Sequence, residues 1–248
     1  MRVAAIQFCP AFKDQEANIR VAASLAIQAA QGGARLIVLP ELCTTGMSFM
    51  SRAEAEPFAE QISDYGRAGA ARSMEVFGAV AKKYGVSVAW GVMERDYGTG
   101  LLYNSQVLMQ PDSHFVTYRK INRWGNDWIW AAEGQSNPPV VEVEGRKVGL
   151  LICRDIRDKY DATWKDFYEP GDAEIIAFSS NWGDGAFPAT IWMDFVKDKR
   201  THLVVANRYG RELNNDFGEG GSGIIYPDQT VYCEGLQWSK DCIVIGEV

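Results

Sequence analysis

Short apolar runs recur along this chain with helical stretches between them: "RVAAIQF" from Arg2, "RLIVLP" from Arg35, "KVGLLIC" from Lys147, "EIIAFSS" from Glu174 and "HLVVAN" from His202. Unbroken runs of this length are strands buried on both faces, which requires covering layers above and below a sheet. Asp14 is placed to cap a helix from Gln15 to Ala30, which Gly32 and Gly33 stop. A second helix is expected from Met74 to Tyr84, a third near 160 to 169 and a fourth just before Arg200. "YNSQVLM" and "HFVTYRK" read as paired strands around the turn "QPDS", and the closing segments "SGIIYP", "QTVYCEG" and "DCIVIGEV" as antiparallel strands. Helices alternating with strands and interrupted by hairpins predict an α/β fold with mixed sheets.

With 248 residues, no linker and no repeat, the chain is expected to form one domain over 1–248. A net charge of −7 argues against nucleic acid as a partner, since there is no cationic excess to displace counterions from phosphates. Five cysteines at 9, 43, 153, 233 and 242 form no CxxC pair, so neither a metal site nor a redox dithiol is expected. The chain opens on a strand rather than a signal segment, and nowhere do about 18 apolar residues run together. A cytoplasmic protein without a membrane partner is expected. "GEGGSG" (218–223) lacks the lysine of a phosphate loop and reads as a turn before a strand.

The run Val148 to Ile152 ends on Cys153 and passes at once into charge. A thiol at such a place is either a nucleophile on a strand-to-helix elbow or a small buried hydrophobe. A nucleophile needs a proton acceptor, because a free thiol near pKa ~8.5 is little ionised at neutral pH. His114 and His202 are the only histidines, and both lie in strand-like apolar contexts. Glu41, directly after "RLIVLP", is the carboxylate alternative, and Lys120 is a cation at the end of another strand.

Taken in order, "VLPELCTTGM", "YRKINRW" and "VGLLICRDIRDKY" resemble the three signature segments of the nitrilase superfamily, the carbon–nitrogen hydrolases with a Glu-Lys-Cys triad. "RVAAIQF", "SSNWGDG", "RTHLVVANRYG" and "GGSGIIYPDQTV" are similar to other blocks of that family, so the resemblance runs the length of the chain. It implies a four-layer αββα sandwich of two mixed sheets, assembled as a homodimer or higher homo-oligomer through helices near the nucleophile. It also implies Glu41 as base, Lys120 as oxyanion stabiliser with the backbone N–H of Arg154 beside it, Cys153 as nucleophile, a thioester intermediate and no cofactor. The substrate expected is a small carboxamide or N-carbamoyl compound. A small nitrile, or a non-catalytic binding protein of the same fold, is the alternative, and a thiol peptidase pairing Cys153 with His202 is a further one.

Several positions depart from the family pattern. Arg154 stands where an aromatic is common, and "RDKY" replaces the usual segment after it, leaving Asp155 and Arg157 in register as an expected ion pair. Asn181 and Trp182 occupy the place of a pocket wall. Trp124, Trp128 and Trp130 crowd the loop after Lys120, with Trp128 expected at the pocket, and Arg154 or Arg123 could hold a substrate carboxylate. The family's second glutamate, which positions the lysine, maps seven residues before Gly134 onto Asp127, with Glu133 as competitor; the alternative for Asp127 is a turn cap.

Overall fold

The structure is a computed structural model, described here for residues 1–62, 71–156, 173–183 and 187–248. The helix expected near 160–169, the dimer contact assigned to it, and Arg157 lie outside those residues.

The first half of the chain builds one sheet from β1 (Arg2–Gln7), β2 (Leu36–Val38), β3 (Ser87–Arg95), β4 (Leu102–Met109) and β5 (Phe115–Arg119). The second half builds another from β6 (Val140–Val143), β7 (Arg146–Ile152), β8 (Ile175–Ser180), β9 (His202–Asn207), β12 (Gly223–Ile225) and β13 (Val231–Tyr232). A two-stranded ribbon, β10 (Arg211–Glu212) with β11 (Asn215–Asp216), projects between β9 and β12. The last strand, β14 (Cys242–Glu247), crosses back to pair antiparallel with β1, giving the order β14-β1-β2-β3-β4-β5 in one sheet and β13-β12-β9-β8-β7-β6 in the other. Both sheets are mixed: β1, β2 and β3 run parallel, as do β7, β8 and β9, with antiparallel strands at the flanks.

The side-chain period of two decides the layering. Val3 and Ala5 of β1, Leu36 and Val38 of β2, Val148, Leu150 and Ile152 of β7, and Val204 and Ala206 of β9 meet in one core between the sheets. Their alternates face outward. Ala4, Ile6 and Ile37 pack under α1 (Gln15–Gln31) and α3 (Arg72–Tyr84), whereas Leu151, Ile176, Phe178, Leu203 and Val205 pack under α5 (Thr190–Lys199). Strands apolar on both faces thus give helix, sheet, sheet, helix. Two short helices, α2 (Arg52–Ala55) and α4 (Asp127–Trp130), lie with Phe49 and Trp130 over the ends of β3 and β4. The Asp14 carboxylate caps α1 by accepting from Ala17 N at 3.1 Å, as its position predicts. Among the described residues no helix is long and apolar enough to cross a membrane.

Candidate active site

Glu41 is held by backbone pairing that continues past the end of β2. Leu39 N donates to Ala89 O at 2.8 Å and Gly91 N to Pro40 O at 3.1 Å, which seats the "LPEL" turn on β3. The approach is so close that a Cβ on Gly91 would come within 2.5 Å of Glu41 Cα and 2.3 Å of Leu42 N, so only glycine fits. Lys120 is the first residue beyond β5, fixed by its N–H donating to Asn104 O and by its carbonyl accepting from Gly134 N. Cys153 follows β7 of the opposite sheet and opens a 3-10 turn, Cys153–Ile156. Its φ of 42° is a left-handed backbone that a non-glycine residue holds only under constraint from its surroundings.

These side chains converge where the sheets meet. Lys120 Nζ donates to Glu41 Oε1 at 2.6 Å and to Asp127 Oδ2 at 2.8 Å, and none of the three side chains is more than 1% exposed. Burial pushes the lysine toward its neutral form, but the Asp127 and Glu41 carboxylates outweigh it and hold the ammonium charged. Burial raises the Cys153 thiol above its ordinary value and the nearby Glu41 carboxylate raises it further, while Lys120 opposes both. In such an arrangement the carboxylate is placed where it can accept the proton of the thiol.

Asp127 serves two purposes. As the first residue of α4 it accepts from Trp124 N at 3.2 Å, closing the turn, and with the same oxygen it receives the lysine. Glu133 lies away from this cluster, half-exposed beside Arg123 at 3.4 Å. Asp155 is buried and accepts from Tyr118 OH at 2.7 Å and from Asn122 N at 2.8 Å; burial pushes its carboxyl up to about 7 against the pull of Lys120 and these hydrogen bonds.

Cys153 opens onto a cavity of about 50 Å³. Its apolar walls are Trp124, Trp182 and Phe217, and its polar ones include Arg154, Asn181, Asn215 and Asp216. Trp182 is at once wall and core, since its ring meets Trp192 at 5.4 Å. Trp128 is placed differently from the expectation: it stands 62% exposed with the Arg123 guanidinium 4.2 Å over its ring and does not line the cavity. Trp124, nearer to the lysine in sequence, lines it instead, because the tight turn into α4 points the two indoles different ways. His202 begins β9 level with Val148, about five residues or roughly 16 Å along the strands from Cys153. The thiol–histidine pairing therefore fails on register.

Two sets of residues escaped the sequence reading. Asn104, in the middle of β4, donates from Nδ2 to Glu41 Oε1 at 2.7 Å. Its signal was the polar triplet Asn104-Ser105-Gln106 inside an apolar strand. Arg208 and Glu212 form a fully buried ion pair at 2.6 Å. Glu212 also accepts from Met47 N and Ser48 N, tying the β10–β11 ribbon to the loop that follows Glu41, and Arg208 covers the Phe217 ring at 4.2 Å.

The family model for carbon-nitrogen hydrolases matches residues 2–248. A nitrilase of Pyrococcus abyssi is 31% identical over 226 residues, covering 88% of this chain and 78% of that protein. An (R)-stereoselective amidase of Pseudomonas sp is 26% identical over 203 residues, covering 82% and 69%. A hydrolase of Mycobacterium tuberculosis is 29% identical over 185 residues, and there the chain spans only 61% of its relative's length. In three dimensions, an amidase from Nesterenkonia sp. superposes with a TM-score of 0.81 at 20% identity, covering 99% of this chain and 89% of that one, a likeness of fold. With the family model running almost from end to end and the same sandwich in its solved amidases, this chain belongs to the carbon-nitrogen hydrolase family.

Proposed function

We propose that the protein is a thiol amidohydrolase that cleaves a small carboxamide or N-carbamoyl compound through a thioester on Cys153. Glu41 takes the thiol proton as sulfur attacks the carbonyl carbon. Lys120 and the backbone N–H of Arg154 receive the charge that develops on the carbonyl oxygen. The carbon–nitrogen bond breaks as Glu41 returns the proton to the leaving nitrogen, and ammonia or an amine departs. Glu41 then deprotonates a water that hydrolyses the thioester, releasing the acid and restoring the thiol. Asp127 keeps the ammonium aimed, and Asn181, Trp182 and Arg154 contact the substrate.

The observation that supports this reading is the buried Glu41–Lys120 contact, carried by one sheet, close enough to act electrostatically on Cys153, which is carried by the other and lines a small cavity. That cavity favours a compact acyl group. The Nesterenkonia amidase has been captured with butyramide, and with acrylamide added to its active-site cysteine, which suggests short amides as first candidates. The named nitrilase relative favours one second reading, a small nitrile, in which the same thiol adds to the nitrile carbon. We further take residues 1–248 as one domain, assembled as a homodimer or higher homo-oligomer, in a reducing cytoplasmic compartment in keeping with its five free thiols.

The test is ammonia release over carboxamides, ureido acids and nitriles, with Cys153→Ala as the blank and intact-mass detection of the acyl-enzyme. Turnover that survives Cys153→Ala overturns the proposal; release from nitriles alone selects the second reading.

A further inference from the structure

The Lys120 cluster holds two carboxylates, Glu41 and Asp127, against one ammonium in a space shut from water. Acids this close repel, and one of them tends to take up a proton unless further donors hold both as anions. Asn104 lies between them, 1% exposed. Its Nδ2 donates to Glu41 Oε1 at 2.7 Å and faces both Asp127 oxygens, at 3.2 and 3.3 Å. Its own backbone carbonyl accepts from Lys120 N at 2.8 Å, so one residue of β4 touches all three charged partners. Glu41 Oε1 is then occupied twice, by Lys120 and Asn104. Glu41 Oε2 is the one oxygen of the two carboxylates with no hydrogen-bond partner among the described residues.

We propose that Asn104 is a positioning residue for the base: its amide pins Glu41 through Oε1, so that Oε2 alone is left to take the Cys153 proton and later that of water. The inference rests on the reading of Glu41 as the base. Lys120 beyond β5, Asp127 on α4, and Cys153 and Asp155 in the turn after β7 are the other titrating groups that act on Glu41. Of the contacts to its carboxylate, Asn104 supplies the neutral donor. Without it, the carboxylate loses one of the two donors on Oε1 and is free to turn.

The experiment is the pH profile of kcat/KM for the wild type, Asn104→Ala and Asn104→Asp, each with its melting temperature. Alongside it runs the pH-dependent rate at which iodoacetamide captures Cys153, a readout that needs no substrate. Removing a hydrogen bond to an ionised group is expected to lower kcat roughly ten- to a hundredfold with little change in KM. It is also expected to move the acid limb upward by about one pH unit in Asn104→Ala. Asn104→Asp, the same size but a third acid, moves the limb further. If Asn104→Ala does not fold, the isosteric Asn104→Asp carries the test. An unmoved acid limb in both readouts, whatever happens to the melting temperature, makes Asn104 a structural residue and overturns the proposal. Glu41→Gln is the control that separates the two ideas: if it retains turnover, the base reading falls and this inference with it. If Glu41→Gln is dead and the Asn104 limb stays put, only this inference falls.

Discussion

Lys120 Nζ and Asp127 Oδ2 stand 2.8 Å apart with neither side chain more than 1% exposed. A cation so placed is tolerable only because acids surround it, and the loss of Asp127 leaves it held by Glu41 at 2.6 Å without its second anchor.

Asp127→Asn is therefore expected to lower kcat by roughly ten- to a hundredfold, the value of a hydrogen bond between charged groups. Glu133→Gln, at a half-exposed residue 3.4 Å from Arg123, should leave kcat within about twofold. Steady-state kinetics on both variants checks this, and the reverse ranking would hand the positioning of Lys120 to Glu133.

Gly91→Ala puts a methyl group 2.3 Å from Leu42 N. The backbone of the Glu41 turn must move, at an expected cost of about 1–3 kcal/mol in stability. Because misplacement of a reacting group by an ångström costs about a hundredfold, kcat/KM should fall much more than the melting temperature suggests. Urea unfolding and kinetics on one preparation measure both quantities; full activity in the variant would show that the turn has slack.

Burial penalises the charge of Asp155 and pushes its carboxyl up from the ordinary 3.8 to about 7. The folded protein then holds this proton more tightly than the unfolded chain does. The stability it contributes is complete below about pH 4 and is lost as the pH rises through 7, a change on the order of 2–4 kcal/mol. Asn at this position can accept from Asn122 N and donate to the Tyr118 oxygen without ionising. Relative to wild type, Asp155→Asn should gain stability between about pH 4 and 7 and level off above that. Unfolding curves at several pH values would show it, and a difference independent of pH would mean that Asp155 is ionised throughout.

Arg208→Met removes one half of a buried pair and strands the Glu212 carboxylate beside Met47 N and Ser48 N. Breaking such a pair costs about 3–5 kcal/mol. An unfolding free energy within about 1 kcal/mol of wild type in urea titration would show that the loop after Glu41 does not depend on it.

How much of this could be read from the chain depended on the range of the interaction. Local signals carried far: Asp14 announced α1, "QPDS" announced the hairpin of β4 and β5, and the apolar run ending at Cys153 announced a strand directly followed by a residue that meets the cavity. The return of β14 to β1 is long-range pairing and leaves no mark in local pattern. Asn104 was hidden for a related reason, since a polar residue in a strand reads as a solvent face until a second sheet is known to cover it. Trp128 misled because spacing within the loop gave the density of indoles but not the turn at Asp127 that aims Trp124 inward. The Arg208–Glu212 pair sits at the spacing of a helical surface pair, whereas it lies at the start of a ribbon buried on the loop after Glu41.

The two sheets contribute unequally to the chemistry. Asn104 lies in a strand of the first sheet with Glu41 and Lys120 just beyond two others, Cys153 and Asn181 just beyond strands of the second, and a layer of Val, Leu, Ile and Ala side chains is what brings them to one point. Turnover is thus a gauge of docking rather than of secondary structure. In a state where each sheet persists but the inter-sheet core loosens, the ellipticity of the backbone would survive and the reaction would not. On heating, hydrolysis should fade ahead of the far-ultraviolet signal, at the temperature where the near-ultraviolet signal of the buried tryptophans collapses.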